Sequence, residues 1–582
     1  MKMRRLALSL VAIMAMGNLF AQNNSDILMK VGKEKISKGE FVSAYQKNNL
    51  ISEASEKDLR EYLELYANYR MKVQEAESLQ MDTSVAFKRE LSSYRNQSAQ
   101  QYLTDAEVTD QLLNEAYERS KYQIRASHIL LRCLPTAQPK DTLAVYHKAI
   151  QIRNEILNGL DFAEAAVKYS EDESARDFVN PQTKRFHYGN KGDLGYFSVM
   201  EMIYPFECGA FNTPLGEVSM PVRTQFGYHL IYVRDKVPAM AKIFISQIFV
   251  YDSLALRGEA RPQIKEKLAA IQSALKTNSF ENVVAQFSED VASKEKNGSM
   301  DPFTPNRRPG DYVAAAIKLK PGQHSQPVAS LLGWHILRLD SIVYSTVNDE
   351  TRFMLKNKLS RDARSQKSKE SLLNKLKKEY NYSEKGKAAA MKFFKKNLPE
   401  SYFQSTRIAI DSLKGIEKLK PMCTFDNVQR ITAVDFAHFV SRFQGTPLNV
   451  PMEDFLEQVF QKLVGDWLLQ YENTRLTDKY PEYRELVKEF HDGMLLYEIN
   501  AKKVWNAAIQ DTVGLERFYE SVKTEYPVAQ PNDSLQYKPL SEIRAIIINR
   551  YQDVLEQKWM QELKAKYPVE VDEQVFKSIL KK

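Results

Sequence analysis

The sequence predicts an α+β multidomain chain in which helical modules flank two tandem α/β domains. Three observations predict it. Apolar residues recur at helical spacing before residue 123, the texture changes at Gln123 to short β-branched runs broken by glycine turns, and the same order of elements begins again at Lys242. At 582 residues with 43% hydrophobic composition, the chain can bury several cores.

The elements follow in order. "MKMRRLALSLVAIMAMGNLFAQ" sets Lys2, Arg4 and Arg5 before an apolar run from Leu6 to Met16, the pattern of a cleaved secretory leader over residues 1–21. The run is too short to cross a bilayer. A soluble exported protein is therefore expected, with a periplasmic location as the first reading. Residues 22–122 form an N-terminal helical module, because Leu59, Tyr62, Leu63, Tyr66, Tyr69 and Val73 line one face, followed by Phe87, Leu91 and Tyr94. Residues 123–236 alternate strands and helices, from "YQIRASHILL" through a helical stretch at 143–158 to glycine-punctuated text up to Val233. Residues 242–342 repeat the order, from "KIFISQIFV" to "GWHILRLD", after the short joint "KVPAMA".

Residues 343–422 are a basic helical linker, in which Arg352 to Lys396 holds 15 basic and four acidic residues. Two readings stand for it: a solvated helical face, or a surface making weak contact with anionic membrane or acidic clients. Residues 423–582 form a C-terminal helical module. "ITAVDFAHFV" from Ile431 matches "ISKGEFVSAY" from Ile36, and Tyr483, Val487 and Phe490 match Phe87, Leu91 and Tyr94, so this module reads as a repeat of the first.

The formal charge of +8 is spread over the length and mixed with acids, so no nucleic-acid partner is expected. Cys133, Cys208 and Cys423 are odd in number and lack metal spacing, so neither a disulfide framework nor a metal site is expected, and no cofactor is implied. No G-x-S-x-G, H-E-x-x-H or P-loop motif points to a hydrolase or nucleotide enzyme.

A histidine inside an apolar strand is usually a hydrogen-bonded core residue. Here its neighbours matter. "SHIL" at 127–130 is followed by "YSED" at 169–172, "GDLGYFSVMEMIYPFECGAF" at 192–211 and "FGYHLI" at 226–231. These four pieces in this order resemble the parvulin class of peptidyl-prolyl cis–trans isomerases over 123–234. The resemblance implies a small antiparallel sheet with surrounding helices, with His128 and His229 meeting at its centre and Asp172 beside them as catalytic residues. It implies Leu194, Met202 and Phe206 as a substrate-binding proline pocket, and Thr224 as a hydroxyl near the histidines. Each histidine alone could equally serve only to tie the sheet together.

Aligned on the first domain, the second places Gln247 at the first histidine, Asp290 at the acid, Arg308 at the pocket methionine, Tyr312 at the pocket phenylalanine and His335 at the last histidine. An arginine in an apolar cup costs desolvation without a partner, so this domain is expected to be degenerate. The helical modules around tandem domains are similar to the SurA/PrsA/PpiD group of extracytoplasmic folding factors, which implies unfolded exported polypeptides with X-Pro bonds as partners. In that group the last segment packs back on the N-terminal module, and "YPVEVDEQVFKSILKK" is expected to do so. The alternative function is a non-catalytic chaperone whose parvulin domains only recognise clients.

Overall fold

The computed structural model describes residues 26–47, 54–179, 182, 186–257, 260–403, 413–426, 429–446, 448, 450–528 and 536–580. The expected leader lies outside the described residues. Two compact units emerge, a terminal one of Met1–Gln101 with Tyr471–Lys582 and a central one of Tyr102–Gln470. The division differs from the boundary drawn at 422/423, because it falls inside the continuous helix Met452–Lys479, where no change of composition marks it.

In the terminal unit, the helix Glu56–Ser78 opens with a capping box between Ser55 and Asp58 and buries Leu59, Leu63, Ala67 and Met71 along one stripe. The hairpin of Ile27–Val31 and Glu34–Ser37 gains a third, antiparallel strand from Val569–Val571, with Met29 opposite Val571. The following helix Glu573–Leu580 buries Phe576 in the same core as Phe41 and Leu59. The chain's last segment thus packs on the N-terminal module. The matched segments also share their element order: a hairpin, a short helix, a long helix and another helix. Ser37 caps the helix Lys38–Gln46 through the N–H of Glu40, and Thr432 caps Ala433–Val440 through the N–H of Asp435. Ile36, Phe41, Ile431 and Phe436 are all fully buried. Tyr94 stacks on its own counterpart Phe490 at 4.7 Å between ring centroids.

In the central unit, the first α/β domain is a four-stranded antiparallel sheet in the order Asp193–Phe197, Tyr122–Arg132, Gly227–Pro238, Val222–Thr224. The strand Tyr122–Arg132 is buried at every position from Gln123 to Leu131, since both faces of the sheet are covered. Its back face packs Ile129 and Leu131 against Ala149, Ile152, Phe162 and Ala165 of two helices. Its front face packs Ile124 and Ala126 against Phe197, Phe206 and Ala210. With a side-chain period of two, His128 lands on the front face between Ala126 and Leu130.

The second α/β domain repeats the design with three strands, Val328–Ala329, Gly333–Tyr344 and Met240–Tyr251. Where the first domain has its edge strand Asp193–Phe197, only bridges between Ser246 and Ser299 and between Ile243 and Phe303 remain. Among the described residues, no helix is long and apolar enough to cross a membrane.

Candidate active site

Register brings the two histidines together. His128 lies opposite Ile231 and Leu130 opposite His229, so the imidazoles occupy diagonal places on neighbouring strands of one face. Their rings stack at 5.5 Å with an interplanar angle of 18°, and the two Nδ1 atoms are 3.3 Å apart. The Nε2 of His128 meets Asp172 Oδ2 at 2.9 Å, and the Nε2 of His229 meets the Thr224 hydroxyl at 2.8 Å. All four polar residues expected from the sequence therefore form one hydrogen-bonded chain.

Asp172 reaches the sheet because Ser170 pins its loop: the Ser170 hydroxyl oxygen accepts the backbone N–H of Leu130 at 3.2 Å, while the N–H of Glu171 donates to the Leu130 carbonyl at 2.7 Å. At Gly192 the chain passes so close to the strand that an added Cβ would lie 2.6 Å from the His128 carbonyl oxygen, and φ there is +83°. Only glycine fits such a place.

Above the imidazoles lies the apolar part. The Phe206 ring stands nearly perpendicular to both histidines, at 5.8 Å from His128 and 5.3 Å from His229. Leu194 and Met202, half-buried, pack on the same cluster as Phe206, Phe197 and Ile231. A cup of three apolar side chains thus stands over a polar floor.

Reading the sequence missed the residue that holds this cup from behind. Glu207, one position after Phe206, is fully buried. Its carboxylate accepts the N–H of Met200 at 2.7 Å, Arg119 at 2.9 Å, and both terminal nitrogens of Arg364 at 3.1 and 2.9 Å. The only sequence signal was an acid inside an otherwise apolar helix. Arg364 belongs to the basic linker and is 2% exposed, so a solvated face does not describe that whole stretch; Lys375 and Lys387 likewise pair with Asp105 and Glu457.

The second α/β domain keeps the plan and changes the chemistry. Gln247 and His335 occupy the same diagonal, with Gln247 opposite Leu337 and Phe249 opposite His335. Gln247 Nε2 donates to Asp290 at 2.9 Å, its Oε1 faces His335 Nδ1 at 2.9 Å and accepts the Tyr312 hydroxyl at 3.2 Å, and Ser330 lies 2.7 Å from His335 Nε2. Arg308 overturns the expectation of a buried, unpartnered charge. It is exposed, with its guanidinium 5.5 Å from the centroid of the Phe303 ring, so its solvation is retained while it covers an aromatic face.

Residues 112–237 and 252–341 each match a family model described as a PPIC-type PPIASE domain. The chain carries two parvulin domains in tandem. It is similar to a chaperone SurA of Hydrogenovibrio crunogenus, 27% identical over 243 residues that make up 41% of this chain and 51% of that protein. A foldase protein PrsA of Geobacillus kaustophilus is 28% identical over 254 residues, 40% of this chain and 80% of that one. Among solved structures, the parvulin NmPin of Nitrosopumilus maritimus is 32% identical over 19% of this chain and 94% of its own, with a TM-score of 0.13. The chain spans about half the length of the SurA relative.

Burial and the neighbouring His128 press the pKa of His229 in the first parvulin domain down to about 3. Hydrogen bonds from His128 and then Ser174 hold Asp172 well below the usual carboxylate range. While both imidazoles are neutral, the carboxylate dictates every proton. Asp172 only accepts, so His128 donates from Nε2 and accepts at Nδ1; His229 then donates from Nδ1 and accepts the Thr224 O–H at Nε2. The Thr224 oxygen accepts the Phe226 N–H at 3.1 Å, and its O–H has the nearer acceptor in His229 Nε2 at 2.8 Å, against 3.5 Å for the Gly227 carbonyl. In the second parvulin domain, burial and then the charge of Arg308 press His335 down to about 4. The amide of Gln247 fixes the same proton order without an ionisable ring at the centre. Among the described residues, three groups able to ligate a metal converge at Glu77, His491 and Asp492 in the terminal unit, where Arg70 already pairs with Asp492.

Proposed function

We propose that the protein is an exported peptidyl-prolyl cis–trans isomerase with chaperone action on secreted or outer-membrane proteins, in which the first parvulin domain carries the chemistry. The single observation behind this reading is the Thr224–His229–His128–Asp172 chain lying under the Leu194, Met202 and Phe206 cup. Rotation about an X-Pro bond has a barrier of roughly 18–20 kcal/mol because the planar amide is resonance-stabilised. Twisting removes that resonance and with it part of the amide's charge separation. An apolar cup that grips the proline ring, with fixed dipoles beneath the bond, therefore favours the twisted form over either planar one. No covalent step is needed. His128, Asp172 and His229 act here by holding one orientation of polar groups, and a neutral His229 keeps a free charge from the floor of the site.

Holding clients falls to the helical parts. A groove of about 900 Å³ in the terminal unit is lined by Tyr62, Leu65, Tyr66, Tyr69 and Leu486 with a charged rim, and Leu65 is 65% exposed. Aromatic side chains offer large contact area at small entropic cost, which suits weak binding of varied unfolded segments. Export rests on the basic-then-apolar start of the sequence. For the linker, the ion pairs of Lys375, Lys387 and Lys395 with acids favour structural use over membrane contact.

The test uses the full chain with an X-Pro peptide followed by exchange NMR, beside an aggregation assay on an unfolded outer-membrane protein. A His128→Ala, Phe206→Ala double variant should lose isomerisation and keep aggregation suppression. If both activities vanish together, the first domain is itself the main client site and the non-catalytic reading takes over.

A further inference from the structure

The second parvulin domain touches the first at the strand and turn that carry two of the three cup residues. Four observations define the junction. Arg125, on the back face of the strand Tyr122–Arg132, is buried and pairs at once with Asp193 of its own domain and, at 2.6 Å, with Asp311 of the second. Gly310, the first residue of the helix Gly310–Ile317, lies so close that an added Cβ would meet Arg125 Nε at 2.4 Å and Asp193 Oδ2 at 2.9 Å. Tyr196, 2% exposed, belongs to the apolar core of the second domain with Phe303, Tyr312 and Val313, while its hydroxyl donates to Asp235 at 2.6 Å. Finally, Asn306 Nδ2 donates to Glu201 Oε1 at 2.8 Å, and Glu201 Oε2 accepts the N–H of Ser198 at 2.8 Å.

These contacts bear on the cup directly. Asp193, Gly195 and Tyr196 surround Leu194 on its strand, and Glu201 precedes Met202. The turn between them includes Met200 at φ +61°, a conformation that a non-glycine residue keeps only when its surroundings impose it. Glu201 closes this turn onto Ser198, and Asn306 holds Glu201 from the other domain.

We propose that the second parvulin domain is a positioning part of the first domain's proline cup, with Asn306 and the Gly310 seat fixing the turn and strand that present Met202 and Leu194. The inference rests on the reading of the first domain as the isomerase. It gives the domain with the altered site a task that needs no catalysis. Asn306 and Gly310 act through Glu201, Arg125 and Asp193, never on substrate.

The experiment measures kcat and KM of full-length variants on an X-Pro peptide, with thermal unfolding as a check. Asn306→Ala removes two hydrogen bonds at an exposed site, the one to Glu201 and one accepted from the Thr304 hydroxyl within its own domain, so the fold is not at risk; KM should rise roughly two- to tenfold with kcat unchanged. Gly310→Ala, whose added Cβ must displace the Arg125 guanidinium and the Asp193 carboxylate, should raise KM further. In a Glu201→Ala background, Asn306→Ala should add nothing to KM, because the bond that reaches the turn of the first domain is already gone and only the bond to Thr304 in the second domain is left to lose. An active wild-type chain whose KM is indifferent to Asn306→Ala and Gly310→Ala, or whose Asn306 and Glu201 effects add, overturns the proposal and leaves the isomerase reading standing. An inactive wild-type chain brings down the isomerase reading and this proposal with it.

Discussion

The two parvulin domains share a scaffold down to individual hydrogen bonds and differ at the few positions that correspond to the proposed proline cup and its polar floor. Ser170 and Ser288 each accept the N–H of the strand residue two places after the central polar group. Gly192 and Gly298 accept a close approach at the same place, φ +83° and +90°. Thr224 and Ser330 each cap the last histidine. Against this sameness, an imidazole has become an amide at Gln247, an apolar ring edge has gained a hydroxyl at Tyr312, and a thioether has become the guanidinium of Arg308. The difference teaches that the polar chain serves the sheet as well as the chemistry. A group buried between strands must be hydrogen-bonded whether or not catalysis remains, so the network outlasts the cup.

The comparison can be broken most easily at the cup. Phe206→Ala should lower isomerase efficiency roughly ten- to hundredfold, since burying one ring is worth about 1.5–3 kcal/mol, whereas Tyr312→Ala should leave kcat close to wild type and raise KM only as far as the loosened packing on Tyr196 disturbs the first cup. Exchange NMR on one peptide measures both. Equal losses would mean that the second cup works as well as the first.

It is sharpened by conversion. In a chain whose first site is disabled by Phe206→Ala, the triple change Gln247→His, Arg308→Met, Tyr312→Phe should restore measurable isomerisation, at a fraction of the native rate. Failure with a correctly folded product would place the missing ingredient in the edge strand that the second domain lacks.

The histidines supply a graded effect with acid. His229 and His335 are pressed down to about 3 and about 4 from an ordinary 6.5. Between the ordinary and the folded value, the unfolded chain binds a proton that the folded domain refuses, so stability falls as pH drops below about 6.5. Each histidine takes away roughly 1.4 kcal/mol per pH unit until its folded pKa is reached. The two domains should lose stability in parallel down to about pH 4, below which only the His229 contribution continues. Denaturant titrations from pH 7 to 3.5 on wild type and on His229→Phe and His335→Phe chains read this out; a flat profile for wild type would show that neither ring is held neutral.

The smallest effect is expected at Ser330→Ala, which strands the Nε2 of His335 and should cost about 1–3 kcal/mol of stability without touching isomerisation. Thr224→Val should cost a similar amount and lower activity too, because its partner His229 lies under the working cup.

The sequence alone determined what is written in local pattern. Strand and helix periods and glycine turns were legible locally, and the order of "SHIL", "YSED" and "FGYHLI" carried the resemblance that implied His128, Asp172, His229 and Thr224 in one place; a period of two then fixes which strand residues share a face. The match of Ile36 with Ile431 was legible in the local pattern too, as each lies in the second strand of a hairpin and directly precedes a helix cap. Tertiary structure alone decided the fate of charges and the neighbours of surfaces. Nothing in "YPFE" says that Glu207 is buried against Arg119 and Arg364, nor does "NRRPGD" say that Arg308 stays in water while Gly310 presses on Arg125. Whether a charge is stabilised depends on partners far away in the chain, 88 and 157 residues away for Glu207, and electrostatics acts through distance in space, which periodicity does not encode.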